Sequence, residues 1–145
     1  MSLRKCTLVL PLLLLLLLSS GCATRGTTVH KVTVAQHSLL SVVGAFEDAE
    51  SAEFAKGFVP GDLHLKMQGG VQKLALAMKD LDSALAANAS ASTIKAKLDN
   101  IYTLLDSLNS DGVLQVKNAT SKAMLEVALD AIKTLIDNAL VQVGG

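Results

Sequence analysis

The sequence predicts an all-α protein, a small antiparallel bundle of about four helices. Apolar residues recur at helical spacings of three and four almost throughout the chain beyond residue 31. Strand-like alternation never persists for more than a few residues, and Gly, Pro, Asn and Asp interrupt the pattern at short connections. A chain of 145 residues suits a single modest core. With one Tyr, three Phe and no Trp, that core must be built from Leu, Ala, Val and Ile.

The first helix is expected from about Val32 to Lys56. Val32, Ala35, Leu39, Val42, Val43, Phe46 and Ala49 fall on one side, and Glu47, Asp48, Glu50 and Glu53 largely on the other, as a solvated acidic face. Lys56-Gly57 provides a basic last turn and a C-cap, and Pro60 forbids continuation. The second helix is expected to begin near Asp62 as N-cap, with Met67, Val71, Leu74, Met78, Leu81 and Leu85 forming a seam for partner helices. Gly69 and Gly70 inside it each cost about 1 kcal/mol relative to Ala, which predicts a bend, a broken first turn or a close helix contact.

Asn88 and the Ala/Ser stretch to Ser92 make the next connection. A third helix from Thr93 to about Leu108 presents Ile94, Leu98, Ile101, Leu105 and Leu108, and ends in Asn109-Ser110-Asp111-Gly112. Val113-Leu114-Gln115-Val116 is too short for more than a plug over the bundle end or the first turn of the next helix. The fourth helix, from about Asn118 to Val141, carries Leu125, Leu129, Ile132, Ile136, Ala139 and Val143 on one stripe, widened by Leu135 and Leu140, as contact with two neighbours requires.

The N-terminus reads as an export signal: Arg4 and Lys5, an apolar stretch through the Leu12–Leu18 run, then Ser19-Ser20-Gly21 before Cys22. The apolar segment from Thr7 to Leu18 spans 12 residues, fewer than the roughly 20 a membrane-crossing helix needs. The stretch Leu18-Ser19-Ser20-Gly21-Cys22 resembles the lipobox of bacterial lipoprotein precursors. It departs from the commonest form in having Ser19 three residues before the cysteine, with the aliphatic Leu18 one step further out. The resemblance implies recognition of Leu18, Ser19, Ser20 and Gly21 by the lipoprotein signal peptidase, cleavage before Cys22, and lipid on the Cys22 thiol. Cys6 falls in the removed segment, so Cys22 has no disulfide partner, and lipidation accounts for a lone exported cysteine.

The alternative is an ordinary signal peptide cut near Ala23, leaving a soluble secreted domain. The lipidated reading divides the chain into a signal peptide, 1–21, a lipidated tether, 22–31, and a helical bundle domain, 32–145. Removing 21 residues leaves 124, with 11 basic against 13 acidic side chains, a net charge of −2. No nucleic-acid partner is expected from that balance. A diacylglyceryl group with an N-acyl chain such as palmitate holds a protein stably on a bilayer. Ala23 in place of Asp implies, by likeness to enterobacterial sorting, the outer membrane facing the periplasm where the host has one.

Chemistry is sparse. His30 and His37, seven apart, share a helix face, while His64 stands alone, and all three are expected at the surface or in the tether. There is no HExxH or Glu-x-x-His element for zinc or di-iron chemistry and no nucleophile elbow, so neither an enzyme nor a metal or other cofactor is expected. Asn88-Ala89-Ser90 and Asn118-Ala119-Thr120 fit the glycosylation sequon, but a bacterial lipobox makes them capping residues instead. Met67, Met78 and Met124 read as core fillers.

The stretches Gln36-His37-Ser38-Leu39-Leu40, Glu47-Asp48-Ala49-Glu50, Ile101-Tyr102-Thr103-Leu104-Leu105, Asp111-Gly112-Val113-Leu114-Gln115-Val116-Lys117-Asn118 and Leu125 to Leu135 look like those of small uncharacterised helical proteins of bacteria, prophages and phages. That resemblance implies a helical fold and carries no activity or site residue. The expected function is a noncatalytic interaction or structural module on a membrane anchor, with an envelope protein or a second copy as partner. The alternatives are a carrier of lipid or another apolar ligand, its cavity opened at Gly69-Gly70, and a phage-encoded envelope lipoprotein acting in lysis or exclusion.

Overall fold

The computed structural model describes residues 28–144. Four helices, α1 (Thr28–Ala55), α2 (Gly61–Ala86), α3 (Ala91–Asp111) and α4 (Ala119–Gly144), follow one another, with a 3-10 turn at Val113–Gln115 between the last two. No strand occurs among the described residues, so the expected all-α class holds. Leu18 to Cys22, and with them the signal peptide and lipidation site, lie outside the described residues. Helix α1 begins at Thr28, so the last four residues of the segment expected as a tether are helical.

The four helices run up and down. Gln36 meets Met78 and Glu50 meets His64 across α1 and α2. Lys97 reaches Asp80 between α3 and α2, and Lys133 reaches Asp106 between α4 and α3. Each helix packs on two neighbours, α1 against α2 and α4, α3 against the same two, which sets α2 and α4 at opposite corners.

Local chemistry explains the ends. Gly57 adopts φ +77°, its N–H donates to the Phe54 carbonyl at 2.9 Å, and the Phe58 N–H donates to the Glu53 carbonyl at 3.0 Å, a glycine-centred helix stop. Asn88 does the same after α2 with φ 50°, Asn being the residue that best tolerates this region after Gly. Ser90 caps α3 by accepting from the Thr93 N–H at 3.3 Å, and the Asn118 side chain accepts from the Ser121 N–H at 3.0 Å at the start of α4. Asp62 does not cap α2. Pro60 holds that position in extended backbone without a side-chain bond, and Asp62 lies inside the first turn, where its charge suits the positive helix end.

The expected seams of α2 and α3 are buried in full, from Met67 to Leu85 and from Ile94 to Leu108. Val113, the first residue of the 3-10 turn, and Val116, which follows it, are buried as well, so this segment is the plug over the bundle end. Met67 and Met78 fill the core, but Met124 is exposed, because it lies one residue off the α4 stripe that runs through Leu125. Helix α2 passes Gly69 and Gly70 without a break. Of the outcomes expected there, close contact is realised at Gly70, where an added Cβ would stand 2.8 Å from Leu108 Cδ1.

Candidate functional site

Two polar clusters sit where α1 nears its C-terminal end. The side chain of Glu50 is buried; its oxygens accept from His64 Nδ1 at 2.8 and 3.0 Å and from Gln68 Nε2 at 3.1 Å. The His64 ring stacks on Phe54, centroids 3.9 Å apart and planes nearly parallel at 4°. Glu53 is buried too. It accepts from Lys56 Nζ at 2.6 Å on the solvent side and from Ser121 Oγ of α4 on the inner side. The Lys56 ammonium and then the Ser121 hydroxyl hold the Glu53 carboxyl below the ordinary carboxylate range, against the upward push of burial.

These positions correct two expectations. Glu47 and Asp48 are exposed as expected, but Glu50 and Glu53 are not part of a solvated acidic face. His64 is partly buried and joined to a carboxylate 14 residues away in sequence, whereas His30 and His37 are exposed. The signal was present in α1: Val32, Gln36, Leu39, Val43, Phe46, Glu50 and Glu53 follow an unbroken alternation of four and three, and all seven are buried. Reading only the apolar members stops the seam at Phe46. The same rule captures Gln36, whose Nε2 donates to the Met78 carbonyl at 3.2 Å while its Oε1 is buried without a partner.

Chemically the clusters are bridges. Glu50 ties α1 to α2 and Glu53 ties α1 to α4, and Ser121 is 1% exposed, so its hydroxyl is closed to a substrate. Among the described residues no group of three or more His, Cys, Asp and Glu side chains could hold a metal ion. No described helix is long and apolar enough to cross a membrane.

An open cleft of about 920 Å³ lies elsewhere, between α2, α3 and the 3-10 turn. Leu65, Gly69, Leu104 and Leu108 line it with Lys66, Lys73, Lys117, Asp62 and Asp111. Gly69 faces open space, since a Cβ there would meet nothing within 4 Å. The cleft lies at Gly69-Gly70, where a ligand cavity is expected, yet it is an exposed trough of mixed polarity. In comparisons with known proteins, the chain matches no protein-family model, no curated protein and no solved structure.

Proposed function

We propose that the chain is the precursor of a bacterial lipoprotein, anchored in the cell envelope through Cys22, whose helical bundle is a noncatalytic interaction or structural module. The observation that carries this reading is the sequence Leu18-Ser19-Ser20-Gly21-Cys22 closing a charged and then apolar N-terminal segment. Five residues, Ala23 to Thr27, separate Cys22 from the start of α1 at Thr28, room for a lipid-bearing linker. The polar side chains of the bundle interior are spent on inter-helix bridges, which suits a scaffold.

Metabolic labelling with palmitate tests the anchor. Label is expected on the wild-type protein in the membrane fraction and is expected to vanish in Cys22→Ala, which stays uncleaved or soluble while its bundle still folds. Equal labelling of both proteins refutes the anchor. Crosslinking in intact cells tests the module, which requires a recurrent protein partner or a second copy. A second reading, a carrier of lipid or another apolar ligand, is favoured by the cleft beside Gly69. Native mass spectrometry of the delipidated chain incubated with phospholipid decides it by the presence of a bound species.

A further inference from the structure

The four most exposed large apolar residues of the described chain fall on just two helix faces. Leu65 and Leu76, 71% and 67% exposed, lie on the outer face of α2, and Val127 and Val141, 70% and 69% exposed, lie on the outer face of α4. On α2 these leucines share the face with Gly69, Lys66 and Lys73. On α4 the valines share it with Ala131, Asp130 and Asp137. At 100° per residue the α2 set spans about 100° of its helix and the α4 set about 120°, with the charges along one edge of each.

The charges on the two stripes are opposite and equally spaced. Lys66 and Lys73 are seven residues apart, and so are Asp130 and Asp137, which is about 10.5 Å along a helix in each case. Lys56, Lys95, Lys97 and Lys133 close salt bridges within the chain, whereas Lys66, Lys73, Asp130 and Asp137 close none. The carboxylates near the lysines are otherwise engaged: Asp80 faces Lys97, Asp111 accepts from Ser110, and Asp62 lies in the positive first turn of α2. Gly69 opens the α2 face to close approach by another helix.

We propose that the outer face of α2, from Leu65 to Leu76, docks the outer face of α4 of a second copy of this chain. Leu65 and Leu76 bury against Val127 and Val141, and the paired lysines and aspartates fix register and orientation, the role rim charges play best. Matching both charges at once requires nearly parallel axes, as in 3-4 helix packing. Because α2 and α4 occupy opposite corners of the bundle, the contact joins unlike surfaces, so each added copy leaves one free face at each end and the assembly grows as a row. Lateral growth on a bilayer rests on the anchored reading above, since confinement there raises effective concentration. The contact between bundles does not rest on it.

Sedimentation velocity on the full chain, extracted from its host's membranes in mild detergent and followed over concentration at low salt, tests the proposal. The wild type should form dimers and longer species. Lys66→Glu with Lys73→Glu, and separately Asp130→Lys with Asp137→Lys, should each stay monomeric with unchanged helicity and thermal midpoint. An equimolar mixture of the two charge variants should assemble again into dimers and longer species, because the all-negative and all-positive copies complement each other at both faces and alternate along the row. Gly69→Leu, which fills the cleft without touching the core, should also block growth.

A wild type that stays monomeric, charge variants that assemble like it, or a mixture that stays monomeric overturns the proposal. A photocrosslinker at position 73 that captures another protein or a lipid in place of α4 overturns the assignment of a second copy. Palmitate labelling is read on the same material, so an unlabelled chain that still assembles removes the anchor alone.

Discussion

A carboxylate on a helix is ordinarily a solvent marker, but Glu50 and Glu53 are held inside by donors from three directions, and each makes a prediction. The Glu53 carboxyl has a folded pKa lowered from its ordinary 4.5 by Lys56 and Ser121. Its contribution to stability is therefore present above that ordinary value and is lost as pH falls through the lower folded value. The urea midpoint of the wild type should drop on acidification below about pH 5, and Glu53→Gln should be lower at neutral pH but flatter across that window. At the other cluster, removing the donor should hurt more than neutralising the acceptor. His64→Ala leaves the buried Glu50 with Gln68 alone and strips the ring from Phe54, for an expected loss of about 3 kcal/mol. Glu50→Gln leaves no buried charge behind and should cost about 1 kcal/mol. Equal urea midpoints for the two variants would mean that the carboxylate is not what the imidazole serves.

Within α2 the two adjacent glycines separate propensity from packing. Gly69→Ala places a methyl in open space and removes the helix penalty of glycine, so it should raise stability by about 1 kcal/mol. Gly70→Ala gains the same propensity but brings its Cβ to 2.8 Å from Leu108 Cδ1, so the packed leucine, 3% exposed, must shift. Overpacking should leave a net loss of about 1 kcal/mol, read by thermal unfolding of both variants side by side. The seams of α2 and α3 were legible because every member, Met67 to Leu85 and Ile94 to Leu108, is apolar, so composition and period agree. In α1 they disagree, and Gln36, Glu50 and Glu53 hold seam positions that composition alone assigns to solvent. The capping roles of Asn88, Ser90 and Asn118 were legible from residue type. The absent cap at Asp62 was not, since the choice between Pro60 and Asp62 depends on where the backbone first turns helical. The cleft was invisible in the sequence apart from its glycines, because it arises from the height at which α2 and α3 meet the Val113–Gln115 turn.

For the molecule as a whole, the antiparallel order fixes which parts share an end. The start of α1 and the ends of α2 and α4 lie together, while the Gly57–Pro60 and Gly112–Asn118 connections lie at the other extreme. With α1 28 residues long, the two ends are about 40 Å apart at 1.5 Å per residue. A chain held at Cys22 thus presents its two connections, and the cleft beside one of them, away from the lipid. In spheroplasts of a cell making the anchored chain, an epitope placed at residues 57–60 should bind antibody more readily than one placed at 86–90, provided both variants keep the wild-type thermal midpoint.

The methionines offer a clock for the opening of this structure. Met124 is 41% exposed, whereas Met67 and Met78 are sealed, Met67 with its Cγ and sulfur beneath Gly112 at the α3 terminus. Peroxide should convert Met124 to the sulfoxide at the rate of a free side chain, and the other two only as fast as their surroundings part. Mass spectrometry over a time course then compares the lifting of the chain at Gly112, the lid over Met67, with the parting of α1 and α2 around Met78. Met67 sulfoxide should accumulate before Met78 sulfoxide if the chain loosens first at that lid.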